Sequence, residues 1–480
     1  MGNFTALHPL QMILGAPDCF KEALVAVILI SIFLPLGIWW RLNWSRFSAP
    51  VRALTAIALV HIVLIQGILS LISPRHWRDT ALLRTEQFFI ARESDDSWHP
   101  MFAAYDYAVQ QDHRPLYTEI FFERKIKFQY PPTALLFVAA LKPLLPQQTF
   151  RQHMEGPARV VSWLFIWLSV LCSMALLLLT LRSRTQPQPK KQDLIAAAAL
   201  VVLLGLTFYP VIHSYNLGQI QTWINGLLAL ALLCLATRRE LGAGILTGIV
   251  CLMKPTYGVL VLWGLARRRW RFALSAIGVG VAGLCLSIAI FGWADHVDYP
   301  AALAFMARHG EAYFPNQSMN GLLNRLFHNG TNLEWLPNDF APFHPVVYAG
   351  TLASSLALIG GLLWIACRGR NEPSPFEPAL AILTSTMASP IAWEHHYGVL
   401  LPIYALLAST ILTKASPFRG EKWWLAASFL MTASFFAPVN QTADLPFGLN
   451  VLQSHLYCGA LISLFLLYKN LSQEILKQQR

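Results

Sequence analysis

An all-α polytopic membrane bundle is the fold class this chain predicts, on three observations. Of its 480 residues, 55% are hydrophobic and 13% charged, against roughly 25% charged in soluble domains. Tryptophan (16) and phenylalanine (28) are abundant, as expected where aromatic rings sit at bilayer interfaces. The apolar residues gather into runs of about 20, the length a helix needs to cross a hydrocarbon core.

Taken in order, full spans are expected near 22–40, 51–73, 157–181, 194–213, 219–237, 272–293, 345–367, 376–392, 397–413, 423–440 and 449–468. Two apolar stretches differ. Residues 131–145 are short and open on Pro131-Pro132, and 242–266 is interrupted by Lys254-Pro255. Proline removes a helix donor and clashes with the preceding turn, which suits a broken segment where non-helical backbone is buried in protein.

Short basic clusters separate the runs. They comprise Arg41, Arg46 and Arg52; Arg182, Arg184, Lys190 and Lys191; Arg238 and Arg239; Arg267 to Arg271; Arg368 and Arg370; Lys414 to Lys422; and Lys469 to Arg480. The positive-inside rule assigns them all to the cytoplasm. Both ends of 242–266 then share one side, so it reads as a re-entrant hairpin, and 131–145 re-enters from the outside. The expectation is about eleven full spans plus two short or re-entrant segments, N-terminus out and C-terminus in, forming a single polytopic domain over 1–480. The hydrophilic stretches 74–130, 294–344 and 441–448, and the turns at 214–218 and 393–396, fall on the extracytoplasmic face.

That arrangement excludes several functions. The cytoplasmic links are too short for an ATPase or kinase domain, and the chain has no Walker A pattern. The net charge of +11 resides in topology-setting clusters rather than an aromatic-basic groove, so no nucleic-acid partner is expected. Cys172, Cys234, Cys251, Cys285 and Cys458 lie within apolar runs without a C-x-x-C pair, as small hydrophobes do. Residues 1–20 lack the basic n-region of a cleavable signal.

Five polar constellations interrupt this apolar background. The first outer loop carries Glu93, Asp95, Asp96, Asp106 and Asp112 amid amphipathic sequence. A carboxylate partly desolvated near a lipid interface has a raised pKa and suits a general base acting on a sugar hydroxyl. Next come His213, Asn216, Gln219 and Gln221 at the outer end of a span pair; amides in apolar surroundings need bonding partners, either neighbouring helices or a substrate. Lys254 requires an anionic partner. Acidic residues are nearly absent from the spans, which favours a ligand phosphate. The fourth, Asn316-Gln317-Ser318 with Asn320 and Arg325, matches a glycosylation sequon but also suits sugar or phosphate recognition. The fifth is Trp393-Glu394-His395-His396-Tyr397. Adjacent histidines point in different directions on a helix and make a poor chelate, so no metal is expected, while a hydrogen bond to a phosphate suits them better.

These pieces resemble glycosyltransferase family 87, within the GT-C superfamily of membrane transferases. The resemblance runs over roughly 90–400. It rests on the acidic pair with P-L-Y and F-Q-Y-P-P behind it, N-L-G-Q-I-Q, G-I-L-T-G-I-V-C-L-M-K-P with R-R-R-W-R, N-Q-S-M-N-G-L-L-N-R-L and S-P-I-A-W-E-H-H-Y, in that order. It implies transfer of a hexose, mannose in most cases, from a polyprenyl-phosphate-linked donor to an extracytoplasmic acceptor, with inversion at the anomeric carbon and no cofactor. The acceptor would be a glycolipid or polysaccharide end, and the setting a bacterial inner membrane. The family's base maps to Asp96 or Asp95. The family follows its aspartate with an apolar residue and tyrosines, whereas this chain has Ser97-Trp98-His99-Pro100; both aspartates stay candidates, with Asp96 preferred. Lys254, His395, His396 and Arg325 are expected to meet the leaving phosphate, and Asn216, Gln219, Asn316 and Gln317 to orient sugar or phosphate oxygens. A transporter or flippase, with its broken hairpins, and an inactive homologue of the same fold are the competing readings.

Overall fold

The computed structural model describes residues 44–72, 80–89, 94–110, 114–142, 150–185, 188–336, 340–368, 374–414, 420–436, 439 and 448–478. The expected first span, 22–40, lies outside them, as do Glu93 and Asp112. The described residues are mostly helical, and an isolated bridge between Asn316 and Trp393 is the one strand-like pairing among them. This is an all-α, polytopic integral membrane protein.

Among the described residues five helices are long and apolar enough to cross a bilayer alone: Ala49–Leu69, Pro157–Arg184, Trp270–Phe291, Pro345–Arg368 and Asn450–Glu474. A sixth forms if Lys191–Leu206 and Tyr209–Asn216, bent by 49° across a short break, count together. The other expected spans are shorter. Gln221–Ala236 has 16 residues, and Phe376–Met387, Leu400–Ile411 and Glu421–Thr432 have 12 each. At 1.5 Å per residue these reach only about 18–24 Å, less than a hydrocarbon core of about 30 Å.

Burial explains the difference. Every residue of Phe376–Met387 and Leu400–Ile411 is buried. The long Trp270–Phe291 and Pro345–Arg368 helices instead turn Leu274, Val281, Leu356 and Trp364 outward. Short helices are sheathed by long ones, so their ends meet protein instead of lipid, where irregular backbone is tolerated.

The Lys-Pro segment is a hairpin. Helix Glu240–Met253 stops at Lys254, whose extended backbone (φ −146°, ψ 93°) leads into the Pro255–Tyr257 turn and helix Gly258–Ala266. Its two ends meet, because Glu240 pairs with Arg269. Arg267 Nε contacts Glu377 Oε2 at 2.9 Å, and Trp263 Nε1 donates to the same oxygen at 3.0 Å. The ends are thereby clamped beside the start of Phe376–Met387, leaving Lys254 at the tip. The other short segment begins at this tip: Thr133 Oγ1 donates to Leu252 O at 2.6 Å, just ahead of helix Leu135–Leu141.

The described residues of 80–130 include the short helices Ala81–Phe89, Trp98–Ala108 and Thr118–Glu123, so this stretch is more than an open loop. The P-L-Y motif starts the third. Asp295 Oδ1 accepts from Leu116 N (3.0 Å) and Asp298 Oδ2 from Thr118 N (2.7 Å), so carboxylates of the Trp293–His309 helix satisfy donors that a helix start leaves without internal partners.

Candidate active site

The Asp95-Asp96 pair is mounted on the turn between Tyr209–Asn216 and Gln221–Ala236. Ser94 N donates to Asn216 O (2.8 Å), Asp96 N to Leu217 O (3.0 Å) and Ser97 N to Gly218 O (3.2 Å). Gly218 permits this docking twice over. Its φ of +67° suits glycine, and a Cβ there would lie 1.8 Å from Ser94 O.

Side chains complete the mount. Tyr130 and Ser97 hydroxyls lie 2.8 Å apart, Ser97 Oγ donates to Gln219 Oε1 at 2.5 Å, and Gln219 Nε2 donates to Asp96 Oδ2. Ser97 gives its proton to Gln219, so the Tyr130 hydroxyl must supply the bond between them. The chain runs from Tyr130 through Ser97 and Gln219 to the carboxylate, fixing the amide's orientation. Asp95 and Asp96 are both exposed, and what separates them is the Gln219 bond, which goes to Asp96.

Asp96 keeps contact with solvent as a residue, yet protein packed about its carboxyl raises its pKa above the ordinary aspartate value. Gln219's hydrogen bond opposes that rise, Asp95's charge adds to it and Lys127's charge opposes it. Ser97 therefore gives the unusual Ser-Trp-His-Pro sequence a physical role, since its hydroxyl links the Asp96 mount to Tyr130.

The same turn leads to the hairpin tip. Gln221 Oε1 accepts from Lys254 Nζ at 3.2 Å, while its own amide donates to Asn225 Oδ1 at 2.9 Å. Lys254 Nζ also lies 3.2 and 3.1 Å from the two ring nitrogens of His396. His396 Nδ1 accepts from Trp393 N at 3.1 Å, so the neutral ring carries its proton on Nε2 and Lys254 approaches it side-on. Among the described residues no carboxylate pairs with Lys254. His395 stands at right angles to His396 (centroids 4.7 Å apart) and 6.4 Å from the His213 ring. His395 Nε2 and His213 Nδ1 are buried without a hydrogen-bond partner in the described structure. Buried polar atoms in proteins are nearly always bonded, so a cation and two unsatisfied imidazoles mark a place suited to a ligand. Among the described residues no group of three or more His, Cys, Asp or Glu is arranged to hold a metal.

The remaining candidates perform a different task. Asn216, with its amide oriented by the network, donates to Ile212 O (2.9 Å) and Arg84 O (3.2 Å). Asn316 is fully buried; it donates to Glu311 O (2.8 Å) and Pro390 O (3.2 Å) and accepts from Ala392 N (3.0 Å). Its amide is inaccessible, so the sequon has no glycan to carry in this fold. Gln317 donates to Phe314 O (2.8 Å) and Gln453 O (2.7 Å) and accepts from Tyr457 N (3.2 Å). Arg325 Nη1 donates to Asn316 O at 3.0 Å and reaches the carbonyls of 312–314 at 3.4 Å, while Nη2 donates to Ser454 Oγ at 2.7 Å. Asn316 and the Gln317 backbone, which donates to Ala392 O at 2.8 Å, tie loop 312–318 to loop 390–394, while the Gln317 and Arg325 side chains tie the same loop to residues 453–457. The structure thus brings Asp96 to Gln219 and Lys254 to His396 on one shared turn, and it sets Asn216, Asn316, Gln317 and Arg325 in the supporting layer. Ser97, Tyr130 and Asn225 join the site without having been singled out. Tyr130 lay in F-Q-Y-P-P and Ser97 beside the aspartates, but their meeting depends on a fold that brings distant segments together.

Comparison with known proteins agrees with this arrangement. Residues 128–390 match the model of glycosyltransferase family 87. The chain is 29% identical over 237 residues to a polyprenol-phosphate-mannose-dependent α-(1-2)-phosphatidylinositol pentamannoside mannosyltransferase of Mycolicibacterium smegmatis, covering 48% of this chain and 53% of that one. It is 25% identical over 308 residues to a polyprenol-phosphate-mannose-dependent α-(1-2)-phosphatidylinositol mannoside mannosyltransferase of Mycobacterium tuberculosis, covering 61% and 65%. The chain thus spans about half to two thirds of the length of the curated relatives it matches. No solved structure matches it. With more than half of its length matching the family model, the chain belongs to glycosyltransferase family 87.

Proposed function

We propose that this protein transfers a mannosyl group from a polyprenyl-phosphate donor to a glycolipid acceptor on the extracytoplasmic side of a bacterial inner membrane. The observation that carries the reading is the shared turn. Gln219 holds the Asp96 carboxylate, and two residues later Gln221 meets Lys254 beside His396. One short segment therefore bonds both a proton acceptor and a phosphate-suited cation, the two groups that a displacement at an anomeric carbon uses.

In this mechanism the acceptor hydroxyl oxygen attacks C1 of the sugar. The C1–O bond to the lipid phosphate breaks with its electron pair going to the phosphate oxygen, and the hydroxyl proton passes to Asp96. Gln219 occupies Asp96 Oδ2, leaving Oδ1 to face the acceptor. Lys254, His395 and His396 stabilise the departing phosphate, while Asn316 and Gln317 hold the loop that presents the histidines and Arg325 holds loop 312–318. Attack opposite the leaving group inverts the anomeric carbon, converting a β-linked donor into an α-glycoside. The relatives' specificities support mannose and a glycolipid acceptor.

The test is transfer from radiolabelled polyprenyl-phosphate-mannose to a mycobacterial glycolipid extract in proteoliposomes. Wild type is expected to move label into an α-mannoside, and Asp96→Asn to abolish the transfer while Asp95→Asn retains it. Label that crosses the bilayer with its donor chemically unchanged would overturn the reading in favour of a transporter. Orientation is tested separately by an impermeant thiol reagent on a single cysteine at position 96, which should react from outside.

A further inference from the structure

Tyr257 and Thr386 lock the tip of the Lys254 hairpin to the helix that leads to the histidines. The hairpin's second arm, Gly258–Ala266, runs antiparallel to Phe376–Met387. At its base Trp263 and Arg267 meet Glu377, and at its tip the Tyr257 and Thr386 hydroxyls lie 3.1 Å apart. At 1.5 Å per residue the two anchors stand roughly 14–15 Å apart on either helix, so the register is fixed at both ends. Thr386 Oγ1 donates to Ile382 O at 3.2 Å. That spends its one proton, and Tyr257 is therefore the donor to Thr386.

The same hydroxyl touches the Lys254 site a second time, because the Gln221 side chain interacts with it. Gln221 gives one amide hydrogen to Asn225 Oδ1 (2.9 Å) and takes Lys254 Nζ on its carbonyl oxygen (3.2 Å). Its second amide hydrogen is the one it can offer the Tyr257 oxygen. Tyr257 N in turn donates to Lys254 O at 3.2 Å. One tight turn thus grips one glutamine from two sides, through the lysine at its carbonyl and the tyrosine at its amide.

A buried tyrosine hydroxyl needs a partner whatever its role, and Thr386 alone supplies one; stability does not call for the contact with Gln221. An amide can face Lys254 in two ways, and only its oxygen suits an ammonium. Asn225, whose Nδ2 donates to His395 O at 3.3 Å, selects that face, and Tyr257 ties the same amide to the hairpin. The Asp96 side is built alike with the charge reversed. There the Tyr130–Ser97 pair turns Gln219 so that its nitrogen meets a carboxylate. Two residues apart, the glutamines show opposite faces to opposite charges, each with a tyrosine hydroxyl behind it.

We propose that Tyr257 is a positioning residue: anchored on Thr386, its hydroxyl holds the Gln221 amide so that Lys254 stays against His396, where an anionic phosphate is met. The inference rests on the place that the transferase reading gives Lys254, but it is tested without turnover. Full-length protein in nanodiscs would be titrated with farnesyl phosphate, a short polyprenyl phosphate. Lys254→Met should weaken binding about tenfold and Tyr257→Phe about fivefold, near 1 kcal/mol. Thr386→Val reaches the same bond from the other helix and should match Tyr257→Phe. Neither should weaken binding further in Lys254→Met, because both act through that ammonium. Tyr404→Phe removes another buried hydroxyl, bonded to Ser428 and Thr432, and should leave binding unchanged. Three results would overturn the proposal: no binding by wild type, wild-type affinity in Tyr257→Phe or Lys254→Met, or a Tyr257→Phe loss that adds in full to that of Lys254→Met. The last is what a merely structural role produces. A Tyr257→Phe loss that vanishes in Lys254→Met, in a protein that never transfers labelled sugar, would instead uphold the positioning role and sink the transferase reading.

Discussion

The 216–221 turn and the paired loops 312–318 and 390–394 draw on the same residue types, yet they spend their polar groups in opposite ways. On the turn, Gln219 and Gln221 point at a carboxylate and an ammonium. In the loops, Asn316, Gln317 and Arg325 point at backbone. An amide bonded to main-chain carbonyls is committed to the fold, while one bonded to a titratable side chain tunes chemistry. Sequence context is alike in the two regions; the partners decide which is which.

Substitutions should separate the two regions cleanly. The largest effect is expected from Asp96→Asn, a fall in kcat of about 10²–10⁴, with Asp95→Asn close to wild type and both proteins folded. Equal losses in the two would break the distinction between the aspartates. Lys254→Met should lower kcat about 10²-fold, the scale set by removing one donor to a developing oxyanion, again with the melting midpoint preserved. Arg325→Met should do the reverse. It strands loop carbonyls at about 1–3 kcal/mol for each one left unsatisfied, lowering thermal stability while the remaining folded protein keeps its donor KM. A normal midpoint with weakened donor binding would move Arg325 into the site.

Finer measurements use pH. Burial raises the Asp96 pKa and Gln219's bond to the charged form restrains that rise, so the acid limb of the rate should lie above the roughly 3.9 of free aspartate. Gln219→Leu should move it higher still; a downward shift would contradict the carboxylate bond. The smallest effect concerns stability. A carboxyl whose pKa is raised on folding contributes stability below its unfolded pKa, and that stability is lost as pH rises through the folded value. Asp96→Asn should therefore melt slightly higher than wild type at neutral pH, with the difference vanishing in acid; the gain is small because the residue remains in contact with solvent.

Much of this was legible in the chain. Lys254-Pro255 between two basic pairs announced a hairpin, because proline breaks helices and basic clusters mark one face; the Glu240–Arg269 contact closes it. The ordered motifs identified the family. Helix lengths were less legible, since an apolar run does not reveal whether lipid or protein surrounds it, and the 12-residue central helices depend on that difference. The Gln219–Asp96 and Tyr130–Ser97 contacts were hidden for another reason. They join positions 123 and 33 residues apart, and no local periodicity encodes such a meeting. Arg325 misleads as an isolated letter, since a guanidinium suits a phosphate and a cluster of carbonyls equally well.

Gly218 carries a consequence for how loss of function is inherited. It has nothing to ionise, donate or accept through a side chain, yet any larger residue there must push Ser94 away and carry the Asp96 segment with it. In a survey of inactive variants, position 218 should therefore appear beside Asp96 itself, in proteins that express and insert normally. The vulnerability of this protein lies as much in an atom that must be missing as in the polar groups around it.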